Sequence, residues 1–491
     1  MIPTDRASFP SPIRWSAGLS VPRLFQLRGS QLALEGPARA PELSTPAMIG
    51  WAAGGHGTSV MIGVLTLFLL NYLTDSLGIE ILLASQIIFL VRIYDLATDP
   101  IMGLISDRSQ SRIGRRRPYL LVGAFTCFIA FVMLFNAPGF ITSSSAALYA
   151  TVVLVLYSTA YTIFNVPHLA MPAEMTSDYH QRTRLMSYRL IFVVTSILVL
   201  SVGGGQILSM LGEAEGYPVF GWGIGATVLV AMIAAFFFTK GTHFSERTLI
   251  TEYSIRQQAL LIWQNHHFRI FLLAKFCLLM AQASFTVAFL FFAKYALGKG
   301  PELLITFGIY QLLGTAIAMP AWPYVSKKIG KRIALMVAAV SYAAAMLTWL
   351  LASPEEADFV LGARVLVLGI CSGGIIILGF AILPDTIEYD RVKNGINREG
   401  IYSGIYSSME KAASAVGPLI FGAYLAANGY ESSVAGEQVV QPNAAVDAIY
   451  IGIGVFPAVA TLSAAFVLLF YRLDENTLMS LRADRQDKVL E

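Results

Sequence analysis

Charge is what this chain has least of. Only 13% of its 491 residues are Asp, Glu, Lys or Arg, about half of the ~25% usual in soluble domains. So little charge cannot clothe a water-facing surface of that size, which excludes an ordinary soluble globule. Cysteine is scarce too. Cys127, Cys277 and Cys371 lie far apart, each inside an apolar run, which argues against a disulfide framework or a zinc site. No nucleophile–base spacing or metal motif stands out, so an enzyme is not expected and no cofactor is implied. Nor do the basic residues gather into a nucleic-acid-binding face.

What the chain has instead is apolar length. It is 56% hydrophobic, with a mean hydropathy of +0.63. Twelve apolar segments can be marked, at about 50–74, 79–104, 118–137, 145–171, 185–211, 218–239, 268–295, 302–325, 333–352, 358–384, 401–428 and 446–471, each long enough to span a bilayer. The expectation is an all-α membrane protein of twelve transmembrane helices. Dividing the charge by loop orients it. Arg108, Arg112, Arg115, Arg116 and Arg117 follow segment 2, and Arg182 and Arg184 follow segment 4. Lys240, Arg247 and Arg256 come after segment 6, Lys327, Lys328, Lys331 and Arg332 after segment 8, and Arg391, Lys393 and Arg398 after segment 10. The opposite loops hold little beyond Lys294 and Lys299. The positive-inside rule then places the even-numbered exits and both termini in the cytoplasm of a cell whose plasma (inner) membrane the chain spans.

The longest polar connection, 241–266, separates six segments (48–240) from six (267–475), with a tail at 476–491. Gly114-Arg115-Arg116-Arg117 after segment 2 is echoed by Gly330-Lys331-Arg332 after segment 8. Six plus six with such an echo suggests two repeats around a midplane cavity, the layout of secondary transporters. Residues 1–47 differ in kind. Seven prolines and five arginines with no long apolar run read as a disordered cytoplasmic extension, dispensable or upstream of a true start at Met48, and there is no signal-peptide apolar region.

One stretch carries most of the chemistry: Val91-Arg92-Ile93-Tyr94-Asp95-Leu96-Ala97-Thr98-Asp99-Pro100. Counted from the polar run at Ser106, Asp99 lies about 10 Å and Asp95 about 16 Å into the helix at ~1.5 Å per residue. A lone charge at such depth costs roughly 2.5–3.5 kcal/mol. Arg92, Asp95 and Asp99 fall within an arc of about 60° at 100° per residue. That stripe faces protein or water, and on its own it carries one uncompensated negative charge that a small cation would neutralise. The bland alternative is a buried Arg–Asp pair that locks two helices together, which leaves the second aspartate unexplained.

These residues meet a known pattern. Asp95-x3-Asp99-Pro100, Gly103-x3-Asp107, Gly114-Arg115-Arg116-Arg117-Pro118 and Asn165-Val166-Pro167 resemble the melibiose-permease-like glycoside–pentoside–hexuronide:cation symporters of the major facilitator superfamily, over about residues 48–475. The resemblance implies that Asp95 and Asp99 hold the coupling cation, H+ or Na+, ligating the metal if it is sodium. Thr162 would assist, and so would the hydroxyl of Thr98, which stands where the family has an asparagine and so removes an amide oxygen. It also implies substrate contacts from Ser59 and Asn165, at two positions where that permease has aspartates, from Arg189 and from Lys411. With Arg92, the cations remain while two acids are lost, a balance that leans toward a carboxylated sugar. Lys411 is expected to reach across the cavity to Asp95 or Asp99. The implied partners are a small sugar or glycoside and the lipid bilayer, and a monomer is expected.

Other polar residues have two readings each. His56, in the run Ala52-Ala53-Gly54-Gly55-His56-Gly57, lines the sugar cavity or carries a proton, or else packs where small residues let helices approach. His168, after the helix-bending Asn165-Val166-Pro167, has a functional role or is a packed, hydrogen-bonded histidine. Gln282 and Gln311 are cavity donors or interfacial groups, and Trp322 is a stacking plate for a sugar ring or part of the packing. Lys275 is expected to snorkel to the cytoplasmic face. Two other functions fit the composition: a membrane solute sensor that does not transport, which would not need the cation pair, and a transporter of an amphipathic lipid.

Overall fold

The computed structural model describes residues 43–473 apart from 140, 177–178, 241–262, 395–398 and 436–438, together with 477, 480 and 481. The chain is helical throughout this range, and a lone antiparallel bridge, Leu77 to Val434, is the only strand-like pairing among the described residues. Twelve helices of 17 residues or more follow one another: α1 Thr45–Leu67, α2 Ile81–Arg108, α3 Arg117–Phe135, α4 Ser143–Met175, α5 Tyr179–Leu198, α6 Gly204–Phe238, α7 His266–Phe291, α8 Leu303–Ile329, α9 Lys331–Leu347, α10 Asp358–Asn394, α11 Glu399–Ala427 and α12 Asn443–Leu468.

Among the described residues, nine helices are long and apolar enough to cross a membrane, and ten if the bent pair at the end of α1 is one span. Two features separate that number from the twelve expected. A 55-residue run, Arg184–Phe238, is continuous across α5 and α6, although at ~1.5 Å per residue it is far longer than a ~30 Å core requires. It breaks at Gly212, where φ is 73° and ψ is 178°, a conformation open almost only to glycine. The other is α11, whose 29 residues include Ser403, Ser407, Glu410 and Lys411, too polar for an apolarity test.

The chain enters α1 earlier than its sequence suggests. Ser44 caps the helix by accepting from the Ala47 amide (3.4 Å), with Pro46 in the first turn. Residues 43–47 are thus part of the folded unit, because a proline in the first turn has no amide that needs a partner. Residues 1–42 lie outside the described range, as do 241–262.

Helix neighbours repeat six elements on. In the first set α1 packs on α5 and α6, α3 on α4 and α6, and α2 on α4; in the second α7 packs on α11 and α12, α9 on α10 and α12, and α8 on α10. The cross-contacts obey the same shift, since α2 meets α11 and α5 meets α8. The corners agree in detail. α1 runs through a short turn of helix into a π-helical turn at Tyr72–Ser76, and α7 runs into one at Phe292–Ala296. The exits match, Leu77 N to Tyr72 O at 3.1 Å beside Leu297 N to Phe292 O at 3.0 Å, with Gly78 at φ 67° and Gly298 at φ 62°.

At the arginine-rich end the first repeat is tied by ion pairs. Arg116 reaches Asp107 (2.6 Å) and Glu174 (2.9 Å), and Arg115 also contacts Glu174. These contacts join the ends of α2 and α4 to the start of α3. Three of the five expected loop arginines are therefore held, since Arg117 donates to the carbonyls of Ile113 (3.0 Å) and Phe236 (2.9 Å).

Candidate functional site

α2 and α4 lie side by side, and their polar positions form two rungs. Asp95 and Asp99 are one helical turn apart on α2, and Ser158 and Thr162 are one turn apart on α4. The Ser158 hydroxyl donates to Asp95 Oδ1, and the Thr162 hydroxyl donates to Asp99 Oδ1 at 3.0 Å. Ser158 is the residue that sequence reasoning missed. Its signal was the same i, i+4 spacing that links the two aspartates, applied to the helix opposite.

Each acid also has a cation. Arg92 Nη1 stands 3.6 Å from Asp95 Oδ2 on the same helix, and Lys411 Nζ on α11 forms an ion pair with Asp99 Oδ2. Lys411 also stands 5.9 Å over the Tyr161 ring. The expected surplus negative charge on the α2 stripe is thus cancelled by the second repeat. Asp95 is buried, whereas the Asp99 side chain keeps a quarter of its surface exposed. The second rung is the one that water, a cation or cargo can reach.

Thr98 is not part of this group. Its hydroxyl donates to the carbonyls of Tyr94 (3.1 Å) and Asp95 (3.3 Å), the habitual bond of a threonine inside a helix. It lines a groove between α2, α3 and α4, to which Thr162 also contributes. The oxygen donors available to a cation are therefore the two carboxylates with the Ser158 and Thr162 hydroxyls, a set suited to a hard cation or a proton.

A second cluster lies beside the first on α4. Tyr161, Asn165 and His168 share one face at spacings of four and three. Arg189 on α5 interacts electrostatically with both Tyr161 and His168, and it runs across Gly55 of α1, where an added Cβ would meet its Cγ at 2.9 Å. Asn165 Oδ1 and Arg189 Nε are both buried without a hydrogen-bond partner. An unpaired acceptor and an unpaired donor in one wall are costly, and together they suit the hydroxyls or carboxylate of a polar cargo. Ser59, one turn along α1 from Gly55, is half-buried.

The remaining candidates are placed elsewhere. His56 is buried between α1, α5 and α6 with Nδ1 on Ser196 Oγ (3.0 Å) and Nε2 on Thr227 Oγ1 (3.3 Å), so both nitrogens are engaged in packing. His168 stacks on Trp51 at 4.8 Å, and each ring nitrogen group meets the other's backbone carbonyl, at 2.8 and 2.9 Å. Trp322 is buried between α8 and α10. It presses on Gly374 and donates to the Ile370 carbonyl at 2.9 Å, so it is no sugar platform. Gln311 donates to Ser372 (3.0 Å), and on α7 the Gln282 carbonyl accepts from the Thr286 hydroxyl (2.8 Å). Lys275 does not snorkel: it is buried, close to Gly379 of α10, and interacts with Glu410 of α11. Removal of a Cβ at Gly379 makes room for the ammonium, so an internal partner replaces the membrane surface.

Comparison with known proteins covers almost the whole folded range. A family model described as MFS/sugar transport protein matches residues 50–475. A putative glycoside/cation symporter of Escherichia coli is 28% identical over 84% of this chain and 88% of its own length. A glucuronide carrier protein homolog of the same organism is 23% identical over 89% and 94%. Among solved structures, a D-xylose–proton symporter superimposes with a TM-score of 0.61 at 14% identity, covering 87% of this chain and 97% of that one, which speaks for the fold.

Proposed function

Because the chain belongs to the MFS/sugar transport protein family, we propose that it is a secondary transporter that carries a glycoside, pentoside or hexuronide across the membrane together with a cation by alternating access. It is not an enzyme. The single observation behind the mechanism is the Asp99–Lys411 contact, which joins a cation-binding acid of the first repeat to an ammonium of the second. A cation that arrives at Asp99 competes with Lys411 and releases it toward cargo; cargo that takes Lys411 frees Asp99 for the cation. Each ligand then favours the state that the other needs, which is what coupling requires.

The coupling ion on this reading is a proton. Thr98 supplies no oxygen to the site, and both carboxylates already have a cation beside them. A proton needs no coordination shell, whereas sodium would have to build one from the few oxygens left. The cargo on this reading is a carboxylated sugar. Arg92, Asp95, Asp99 and Lys411 sum to zero and Lys275 faces Glu410, so beside the α4 cluster Arg189, half-buried with its Nε unpartnered, is a cation for which no ion pair is found among the described residues. A relative named for glucuronide supports the same choice.

The arginine-rich loops and both termini belong on the cytoplasmic side of the plasma membrane by the positive-inside rule. The six-helix sets, 48–240 and 267–475, are the two bodies that move. One chain supplies both walls of the site, so a monomer suffices.

The test is uptake into liposomes containing the purified chain, under an imposed inward proton gradient with and without sodium. Labelled D-glucuronate, a methyl glucuronide, D-xylose and a neutral disaccharide make up the panel. Proton-driven accumulation of the uronides is expected, lost in Asp99→Asn while solute exchange persists. Accumulation of nothing on the panel under either gradient, or undiminished accumulation by Asp95→Asn/Asp99→Asn, sinks the reading.

A further inference from the structure

The corner that ends α1 holds a carboxylate with no role in the site described above. Asp75 is buried and accepts five hydrogen bonds. Asn71 Nδ2 (2.9 Å) and Thr74 Oγ1 (2.8 Å) come from its own helix. Lys294 Nζ (2.9 Å) and the Tyr295 hydroxyl (2.6 Å) come from the matching corner of α7, and the Tyr430 hydroxyl (2.5 Å) from beyond α11. Lys294 also meets Glu213 of α6 at 2.7 Å. Asp75 and Tyr295 occupy the same place in the two repeated corners, so this cluster sits where the repeats face each other, on the side away from the arginine-rich loops.

Backbone reinforces it. The segment after Tyr430 lies along the α1–α2 connection, with Ser433 N donating to Thr74 O (3.0 Å) and Ala435 N to Ser76 O (3.2 Å) around the Leu77–Val434 bridge. The strand crosses from the second repeat to the first. Beside it is a hollow of about 460 Å³ lined by Ser76, Leu77, Pro138 and Val434 among others, which gives the segment somewhere to swing.

We propose that Asp75, Lys294, Glu213 and the 433–435 strand are the gate that shuts the cargo path on this face, and that they part in each transport cycle. The proposal rests on the transport reading above. A permanent staple between these two bodies would forbid alternating access, because cargo entering from this face must pass between α1 and α7. The chemistry suits a contact that breaks. Lys294 and Glu213 keep 25% and 19% of their side chains exposed, so water can replace the partner when that pair separates, while buried Asp75 retains Asn71 and Thr74 on its own helix. Three partners of Asp75 leave together when α7 and the Tyr430 segment withdraw, which makes the closure all-or-none and not gradual.

The test needs no cargo. In a chain with Cys127, Cys277 and Cys371 replaced by Ala, Ser414→Cys serves as reporter, one turn from Lys411 on the side of the gate. Right-side-out vesicles are treated with a membrane-impermeant maleimide. Asp75→Asn, and separately Lys294→Gln, should speed labelling about tenfold by shifting the population toward the open state. Leu77→Cys/Val434→Cys gives a pair at bridge spacing, ~4.5–5.5 Å between Cα atoms, within the 4.4–6.8 Å that a disulfide spans. Oxidising that pair on the Asp75→Asn background should cancel the gain, and dithiothreitol should return it, while labelling in inside-out vesicles is not reduced by the cross-link. Equal labelling from outside in the unmutated gate, both single variants and the oxidised pair overturns the proposal. A failed sugar panel with a working gate would overturn only the choice of cargo.

Discussion

Asp99 answers to two partners at once, the Thr162 hydroxyl and the Lys411 ammonium, and the consequences differ for each. Thr162→Ala removes one neutral donor from a site with other polar groups. Because that hydroxyl donates to the ionised carboxylate, its loss should raise apparent proton affinity about fivefold, by ~1 kcal/mol, which a pH titration of uptake would show. Lys411→Ala should let cargo cross without driving it uphill, seen as intact counterflow with lost accumulation. Asp99→Asn and Lys411→Gln should each lower stability, while the double variant recovers much of the loss, because one broken partner leaves the other unpaired; thermal unfolding in detergent reads the cycle. The Lys411 contact was legible in the sequence because a buried ammonium requires an acid and α2 had one to spare. Thr98 was misread for a local reason: a hydroxyl inside a helix finds the carbonyl one turn back before it finds a ligand. Of the two readings open for Trp322, the packing one matches the bond its indole N–H makes to the Ile370 carbonyl.

At the scale of the element, the break inside α6 separates backbone cost from packing cost. A Cβ at Gly212 would meet nothing within 4 Å, yet its φ is 73°. Gly212→Ala should therefore destabilise by about 1–3 kcal/mol through backbone strain alone. Gly404, also with open space around it, lies inside helix α11, and Gly404→Ala should stabilise by about 0.5–1 kcal/mol. Opposite shifts in melting temperature in the two variants would bear this out; shifts of the same sign would not. The sequence marked two spans here because hydropathy dips at Glu213 and Glu215, and the helix does break beside the dip, at Gly212. The start of α1 was placed a few residues late for a similar reason. Ser44 and Pro46 are weakly apolar and lie outside a hydropathy window, though they are a helix cap and a first-turn proline.

For the whole molecule, the charge balance makes an electrical prediction. If one proton accompanies one uronate, the pair is neutral, and a potassium–valinomycin potential should leave uptake unchanged. A neutral sugar with a proton moves one charge, for which the potential supplies ~2.3 kcal/mol per 100 mV, about fiftyfold in accumulation. The same chain assayed with both cargoes gives the comparison, and potential-driven glucuronate uptake would refute the balance. Arg189→Gln should cost the uronide far more than the neutral sugar. The repeat itself was faintly legible, as two basic glycine motifs after segments 2 and 8. The outer cluster was not, because Asp75, Lys294 and Tyr430 are spread across more than 350 positions of sequence and only the matching corners of α1 and α7 bring them together.

The distance along the chain between Asp99 and Lys411 also matters before the protein ever works. The two are 312 residues apart. At about 5–20 residues per second, a ribosome needs roughly 15–60 s to deliver the lysine after the aspartate has been made. For that time the nascent protein holds an acid in the bilayer without its counter-ion. Every chain cut short before α11 keeps that acid unpaired, and the arrival of Lys411 ends the state. The same contact thus marks a chain whose eleventh helix has been made.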